Sequence, residues 1–433
     1  MKKHGRRIAV LGGNNAGKTV FITSLIDNLQ NDKPGKPLLG EEWSIVDAKI
    51  TNAEAVAGLS RFPQEEYRNA LAEDAKWPAK TLAASVACLK VRLRRKQKKW
   101  YRNDQVVRKL EIVDIAGERT ADFGMVNRNY RQWSAMMTNQ LSKEGIDWPA
   151  RFEQVMLPEH EEKSILAAYR TVLVELYKSG ANTSITPSTA RITIDGKCLD
   201  GLPKEYEQKL REHPIGLEEN EFAPLPEIAF KGDNYQELIQ KFEAAYNKYK
   251  KEIVNPIWSW LKGADDVVYL VDVLGILADG VAAYDAEQAL AGSCFSSVIA
   301  NDWRNEDSLR RKGMGWIKAM WSGMHFERLV VVATKADLAC NEMRETMKNL
   351  AEKLLEKIVS NSCFDKTDYL YCAAICVEDP VQSVRIPEEW DESWDAGKYK
   401  FDDKKPPAKK CRKDVALKNL QLGKIVKIIL NIE

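Results

Sequence analysis

Residues 7 to 26 read Arg7-Ile8-Ala9-Val10-Leu11-Gly12-Gly13-Asn14-Asn15-Ala16-Gly17-Lys18-Thr19-Val20-Phe21-Ile22-Thr23-Ser24-Leu25-Ile26, and their order decides the fold. The apolar run predicts a strand, the glycine-rich segment a tight loop, and the apolar periodicity from Val20 onward a helix. The spacing G-x-x-x-x-G-K-T from Gly12 to Thr19 lets backbone N–H groups curl around phosphates at a helix N-terminus. Gly12, Asn14, Asn15, Ala16, Gly17 and Val20 then belong to the nucleotide-binding stretch, Lys18 reaches the β/γ-phosphates, and Thr19 ligates Mg²⁺. The bland alternative is a glycine-rich turn that binds nothing.

Working outward, Lys109 to Val113 is a half-buried strand pattern that runs into Asp114-Ile115-Ala116-Gly117. A D-x-x-G at a strand end sets Asp114 beside the Mg²⁺, usually through water, and the Gly117 amide near a γ-phosphate. Far downstream, the β-branched run from Arg328 leads into Thr334-Lys335-Ala336-Asp337. The Asp337 carboxylate can accept hydrogen bonds from guanine N1–H and N2–H₂ while the Lys335 stem lies along the base. Adenine offers no such donor pair, and a buried carboxylate left unpaired rejects it. Tyr369 to Ala374 reads as one more strand, whose exit offers the Ala373 or Ala374 amide to guanine O6. Thr81, in the loop before the alternating run Ser85 to Leu93, is the candidate switch threonine for Mg²⁺ and the γ-phosphate; a plain turn residue is the other reading. Glu118 stands where Ras-like switches carry the glutamine that orients attacking water, and a carboxylate beside the γ-phosphate predicts slow hydrolysis. Lys18, Thr81, Gly117 and Glu118 are therefore the candidate catalytic residues. Arg119 is either an arginine finger in cis or the ion-pair partner of Glu118.

The chain has 433 residues, enough for two or three domains at roughly 100–200 residues each. Its 65 Lys+Arg and 63 Asp+Glu give a formal net charge of +2, which removes any global electrostatic argument for nucleic acid or an anionic membrane. The longest apolar stretch, Val267 to Ala278, is interrupted by Asp272 and is shorter than the ~18 residues of a membrane span. With no signal peptide legible, a cytoplasmic protein is expected. Eight cysteines without a C-x-x-C pair and four scattered histidines argue against a disulfide or zinc framework. One basic stretch stands out, Lys90 to Lys99 followed by Trp100. It reads as the solvated tip of an edge hairpin that shields the sheet from pairing, with contact to anionic lipid or nucleic acid as the alternative.

Ordered along the chain, the expected strands are Arg7–Leu11, Ser85–Leu93, Lys109–Val113, Val267–Asp272, Arg328–Thr334 and Asp368–Ala373. They predict an α/β fold: a P-loop NTPase core with a mainly parallel sheet, one antiparallel edge hairpin, and nucleotide at the carboxyl ends of the strands. The expected organisation is a core in two parts, residues 1–117 and 265–433, around a mostly helical insertion, 118–264. Helices are expected over Glu161 to Lys178, Asn234 to Val254 and, closing the chain, Leu420 to Ile429.

These motifs resemble the YcjX-like family of bacterial P-loop proteins. Gly17-Lys18-Thr19-Val20-Phe21-Ile22-Thr23-Ser24-Leu25 follows its GKT-x-FIT-x-L pattern, and Trp77-Pro78 with Thr81 resembles its tryptophan–proline switch region. Asp114-x-x-Gly117-Glu118, Phe222-Ala223-Pro224-Leu225-Pro226, Tyr246-x-x-Tyr249, Val271-Asp272-Val273-Leu274 and Thr334-Lys335-Ala336-Asp337 continue the likeness to about Glu378. Ala116 departs from the family's proline, Arg119 from its tryptophan, and Asn14-Asn15 from a Ser-Arg-type pair. The resemblance implies a GTPase or nucleoside-triphosphatase linked to stress responses, with GTP/GDP and Mg²⁺ as cofactors and a protein effector, a membrane-associated stress protein among the options. A guanine-nucleotide switch with slow hydrolysis is the expected function. A nucleotide-stabilised scaffold without turnover and an ATPase are the alternatives.

Overall fold

The computed structural model describes residues 5–13, 15–32, 37–51, 59–74, 76–78, 84–95, 105–115, 121–126, 128–143, 145–155, 162–178, 215–217, 220–299, 326–359, 364–376, 386–390 and 416–432. The chain divides into two compact units. The first comprises Met1–Gly117, Trp260–Tyr284 and Gly323–Glu433; the second comprises Glu118–Ser259 and Asp285–Ser322. Asp285–Ser322, which the sequence reading leaves with the core, thus groups with the second unit.

An eight-stranded sheet forms the first unit from β1 (Gly5–Gly12), β2 (Trp43–Ile50), β3 (Ser60–Arg61), β4 (Ser85–Arg95), β5 (Gln105–Asp114), β6 (Asp266–Val271), β7 (Phe326–Ala333) and β8 (Phe364–Tyr371). Its order is β8-β7-β6-β1-β5-β4-β2, with β3 on β4. β8, β7, β6, β1 and β5 run parallel, while β4 is antiparallel to both β5 and β2. β6 is buried along its whole length, as its unbroken run Val267-Val268-Tyr269-Leu270-Val271 requires of a strand covered on both faces.

The helices in chain order are α1 (Lys18–Gln30), α2 (Gln64–Ala72), α3 (Tyr130–Lys143), α4 (Trp148–Val155), α5 (Glu162–Lys178), α6 (Gln236–Tyr249), α7 (Asn255–Leu261), α8 (Val273–Asp279), α9 (Val281–Ile299), α10 (Arg344–Val359) and α11 (Leu422–Leu430). In the first unit, α1 and α11 bury Phe21, Ile22, Leu25, Ile26, Ile425, Val426 and Ile429 with Leu89, Val91 and Leu93 of β4.

The expected edge hairpin is corrected by this topology: β2 pairs with β4 from Trp43↔Arg95 to Ile50↔Leu89, so β4 is interior and β2 is the edge. A register shift between Ile45 and Asp47 breaks the alternation of Trp43-Ser44-Ile45-Val46-Asp47-Ala48-Lys49-Ile50, which is why no strand pattern is legible there. Lys96 to Trp100, the expected basic tip, lies outside the described residues. The hairpin also extends further than expected. Gly5 of β1 pairs with Lys109, whereas β4–β5 pairing continues to Arg94↔Gln105.

The second unit has its own aromatic core. Tyr130 and Trp133 of α3, Trp148 and Phe152 of α4, Tyr169 of α5, and Phe242, Tyr246 and Tyr249 of α6 are buried around Phe222. Four of the polar tips are satisfied, as burial demands, while the buried Tyr169 hydroxyl has no hydrogen-bond partner among the described residues. Tyr130 Oη donates to Ala223 O at 2.6 Å, Tyr246 Oη to Arg128 O at 2.9 Å, Tyr249 Oη to Asp122 Oδ2 at 2.9 Å, and Trp148 Nε1 to Pro224 O at 2.9 Å. Phe222-Ala223-Pro224-Leu225 is therefore a buried thread that offers carbonyls to two helices. Instead of stopping at Val254, α6 passes through a π-turn, Lys250–Val254, into α7. Pro256 brings no N–H to the helical ladder, and the widened turn lies directly before it.

Candidate nucleotide-binding site

The loop after β1 begins where two strands come closest. Gly12 has φ 142°, and a Cβ there would stand 2.3 Å from the Leu270 carbonyl oxygen of β6, so glycine alone fits. Gly17, at φ 83°, enters α1 from the left-handed region, and Asn15 shares that region at φ 61°. Alternating backbone handedness of this kind curls successive amides into an anion-binding concavity. Lys18 is buried within the loop, its Nζ donating to Gly12 O at 3.0 Å and Gly13 O at 2.7 Å.

Beside the loop, β5 runs parallel to β1 with Val10 opposite Asp114, which brings the two strand ends level. The Thr19 hydroxyl donates to Asp114 Oδ2 at 2.9 Å, and Asp114 is fully buried. A hydroxyl and a carboxylate at this separation, next to a loop shaped for anions, are the hard oxygen donors that suit Mg²⁺. The residues therefore fit the ion that the resemblance implies.

On the other side of β1, the Thr334 N–H and Oγ1 both donate to Val271 O, at 2.9 and 3.3 Å, fixing the exit of β7 against β6. Lys335 follows at φ 58°, and its Nζ meets Asp272 Oδ2 at 2.5 Å. Asp272 also caps α8, its Oδ1 accepting from the Gly275 N–H at 3.0 Å. Asp337 is buried in the same loop, whose Ala336 N–H donates to Cys372 O at 3.2 Å. Burial, with Cys376 and Asp337 nearby, pushes the Cys372 thiol up, leaving it protonated and inert. In the neighbouring loop, Ala373 exchanges N–H···O bonds with Leu420 at 3.1 and 2.8 Å, and the Ser24 hydroxyl donates to Ala374 O at 2.5 Å. Of the two amides expected to reach guanine O6, that of Ala373 is thus engaged in a β-bridge.

The parallel strands β1, β5, β6, β7 and β8 bring Lys18, Thr19, Asp114, Asp272, Thr334, Lys335, Asp337 and Ala374 to their carboxyl ends. Asn14, Thr81, Gly117 and Glu118 lie outside the described residues. Sequence reasoning gave Asp272 no role, although an acid inside the run Val267 to Ala278 was the available signal. Ser24 carried no signal, because its partner is 350 positions away.

Residues 6–384 match the model of the YcjX-like family. A protein of Escherichia coli (strain K12) described as Ras-like GTPase YcjX is 24% identical over 395 residues, spanning 83% of this chain and 75% of the relative. Its namesake from Shewanella oneidensis is 22% identical over 388 residues, 81% of this chain and 72% of that one. Among solved structures, the signal recognition particle receptor SRb-GTP/SRX complex from Chaetomium thermophilum aligns over 85% of this chain and 93% of that chain, at 10% identity and a TM-score of 0.26.

Proposed function

The chain belongs to the YcjX-like family, and from that premise we propose that it binds guanine nucleotides and hydrolyses GTP as a nucleotide-dependent switch. The observation that carries this reading is the convergence of the Lys18/Thr19/Asp114 cluster and the Lys335/Asp337 loop at the carboxyl ends of neighbouring parallel strands. The two relatives described as Ras-like GTPases support it.

Phosphate binding exchanges one set of hydrogen bonds for another: Lys18 leaves the Gly12 and Gly13 carbonyls for phosphate oxygens, with the loop amides around it. Thr19 and Asp114 would hold Mg²⁺, which when bound neutralises charge on the β- and γ-phosphates. At the other end, Asp337 accepts from guanine N1–H and N2–H₂ along the Lys335 stem. With Glu118 in place of a water-orienting glutamine, and Thr81 and Gly117 as the switch contacts, turnover is expected to be slow.

Calorimetry of the magnesium-supplemented protein with GDP, GTP and ATP tests the reading. GDP and GTP should bind well ahead of ATP, and Asp337→Ala should cost guanine nucleotides about 2–5 kcal/mol, on the order of 30-fold or more. Equal ATP binding that ignores Asp337 would move the protein to the ATPases. Tight GDP binding with no phosphate release, unchanged by Thr81→Ala, would make it a nucleotide-stabilised scaffold.

A further inference from the structure

Three lysines stand directly opposite one another across three adjacent strands. Lys49 of β2 pairs with Lys90 of β4, and Lys90 pairs with Lys109 of β5. All three are exposed. Like charges directly opposite in a sheet repel and weaken it, so the row is a cost to the fold on its own account. The neighbouring rows do not cancel it. One row holds Asp47, Arg92 and Val107, and another holds Ser44, Arg94 and Gln105. Residues two apart on a strand, and residues directly opposite, share a face. That face therefore presents Lys49, Lys90, Arg92, Arg94 and Lys109 against Asp47, while Glu111 in the next row is engaged by Arg7 at 2.7 Å. In a chain whose formal net charge is only +2, this is a local concentration of charge.

We propose that this open face of β2, β4 and β5 docks on an anionic phospholipid surface. The chemistry of the cations on this face favours that partner. Arg92, central on this face, is committed to Asp47 through both Nε and Nη2. One of the face's two guanidinium forks, the kind of group that favours nucleic-acid phosphates, is thus occupied. The face's described residues include no aromatic ring on which a base could stack. The row itself consists of lysines, whose long apolar stems let the ammonium groups spread over a headgroup layer. Asp47 tempers the row, its Oδ2 lying 3.8 Å from Lys49 Nζ. The exposed Val107 beside Arg92 adds apolar contact at the same level. Among the described residues no helix is long and apolar enough to cross a membrane. The docking is independent of the nucleotide reading.

The test is co-sedimentation of the full chain with vesicles of phosphatidylcholine alone or with about one third phosphatidylglycerol, at low and raised salt. Binding should require phosphatidylglycerol and weaken with salt. The triple variant Lys49→Gln, Lys90→Gln, Lys109→Gln should bind on the order of 100-fold more weakly, whereas Lys231→Gln, Lys248→Gln, Lys251→Gln, with the same net charge, should bind like the parent. Relief of the repulsion should also raise the melting midpoint of the first triple variant, a readout that needs no membrane. Equal losses in both triples, or binding indifferent to phosphatidylglycerol, would overturn the proposal. So would tighter binding of single-stranded RNA through the same lysines, which would make the face a nucleic-acid surface.

Discussion

Lys18 and Lys335 are both held by oxygen atoms of the protein, but the two grips have different consequences. Lys18 sits on neutral carbonyls that phosphate oxygens can replace. Lys335 is gripped by a carboxylate and takes a left-handed backbone, which costs a non-glycine residue about 1–2 kcal/mol. Asp272 pairs with the ammonium and caps α8 with the same side chain. The two functions separate by substitution. Asp272→Asn keeps a capping oxygen, so its melting temperature should stay close to the parent's, while GDP affinity falls roughly tenfold, about 1.4 kcal/mol, as Lys335 loses its anchor. Asp272→Ala should lose the same affinity and about 1 kcal/mol of stability as well. Calorimetry and a urea titration on both variants check this, and unchanged GDP affinity in both would show that Lys335 holds its place without the ion pair. Spacing alone marked Lys18, Thr19 and Asp337, because each lies in a local motif. Asp272 was not so marked, because its partner lies 63 positions away and an acid within an apolar run looks like an interruption.

Among the elements, α1 carries more than the nucleotide loop at its start. Further along it, Asp27 is fully buried and accepts from Arg68 Nε of α2 at 2.5 Å, from the Leu417 N–H at 2.7 Å and from Asn31 Nδ2 at 2.9 Å. Asn28 Nδ2 donates to Leu417 O at 3.1 Å, and Ser24 reaches the Ala374 loop. One helix thus ties the phosphate loop to the base loop and to residues 416–420, after which α11 closes the core. Removing the carboxylate with Asp27→Ala should destabilise the protein by about 3–5 kcal/mol, the range for breaking a buried ion pair. Adding Arg68→Met should recover part of it, since the uncompensated charge goes too. Urea midpoints for both variants check this; a loss below about 1 kcal/mol would mean the pair behaves like a surface one. The amphipathic pattern of α11 was legible, but not the tie of Leu417 before it to Asp27 and Asn28, because those partners lie about 390 positions away. β2 was illegible for a different reason, its bulge, and the turn before Pro256 for a third, since a π-turn leaves the periodicity on either side intact.

At the scale of the whole molecule, the chain passes between the two units four times, and two of these connections lead to strands of the candidate site. The second unit starts at Glu118, next to Gly117 of the D-x-x-G, and its first stretch ends at Ser259, from which the chain runs into β6 and Asp272. Both connections therefore lead to strands that carry candidate nucleotide residues, β5 with Asp114 and β6 with Asp272. The unit has its own aromatic core, so it should respond as a body and not by internal rearrangement. Coupling requires that one nucleotide state bind differently at the switch, and the γ-phosphate is the group that distinguishes GTP from GDP. Hydrogen exchange with GDP and with a non-hydrolysable GTP analogue should then differ in residues 121–126 and 250–261, near the two connections. Amides inside α3, α5 and α6 should exchange alike in both states. Asp337→Ala at unchanged nucleotide concentration should shrink the difference, because less of the protein is loaded. Identical exchange at both would mean that no γ-phosphate signal reaches the insertion through these two connections.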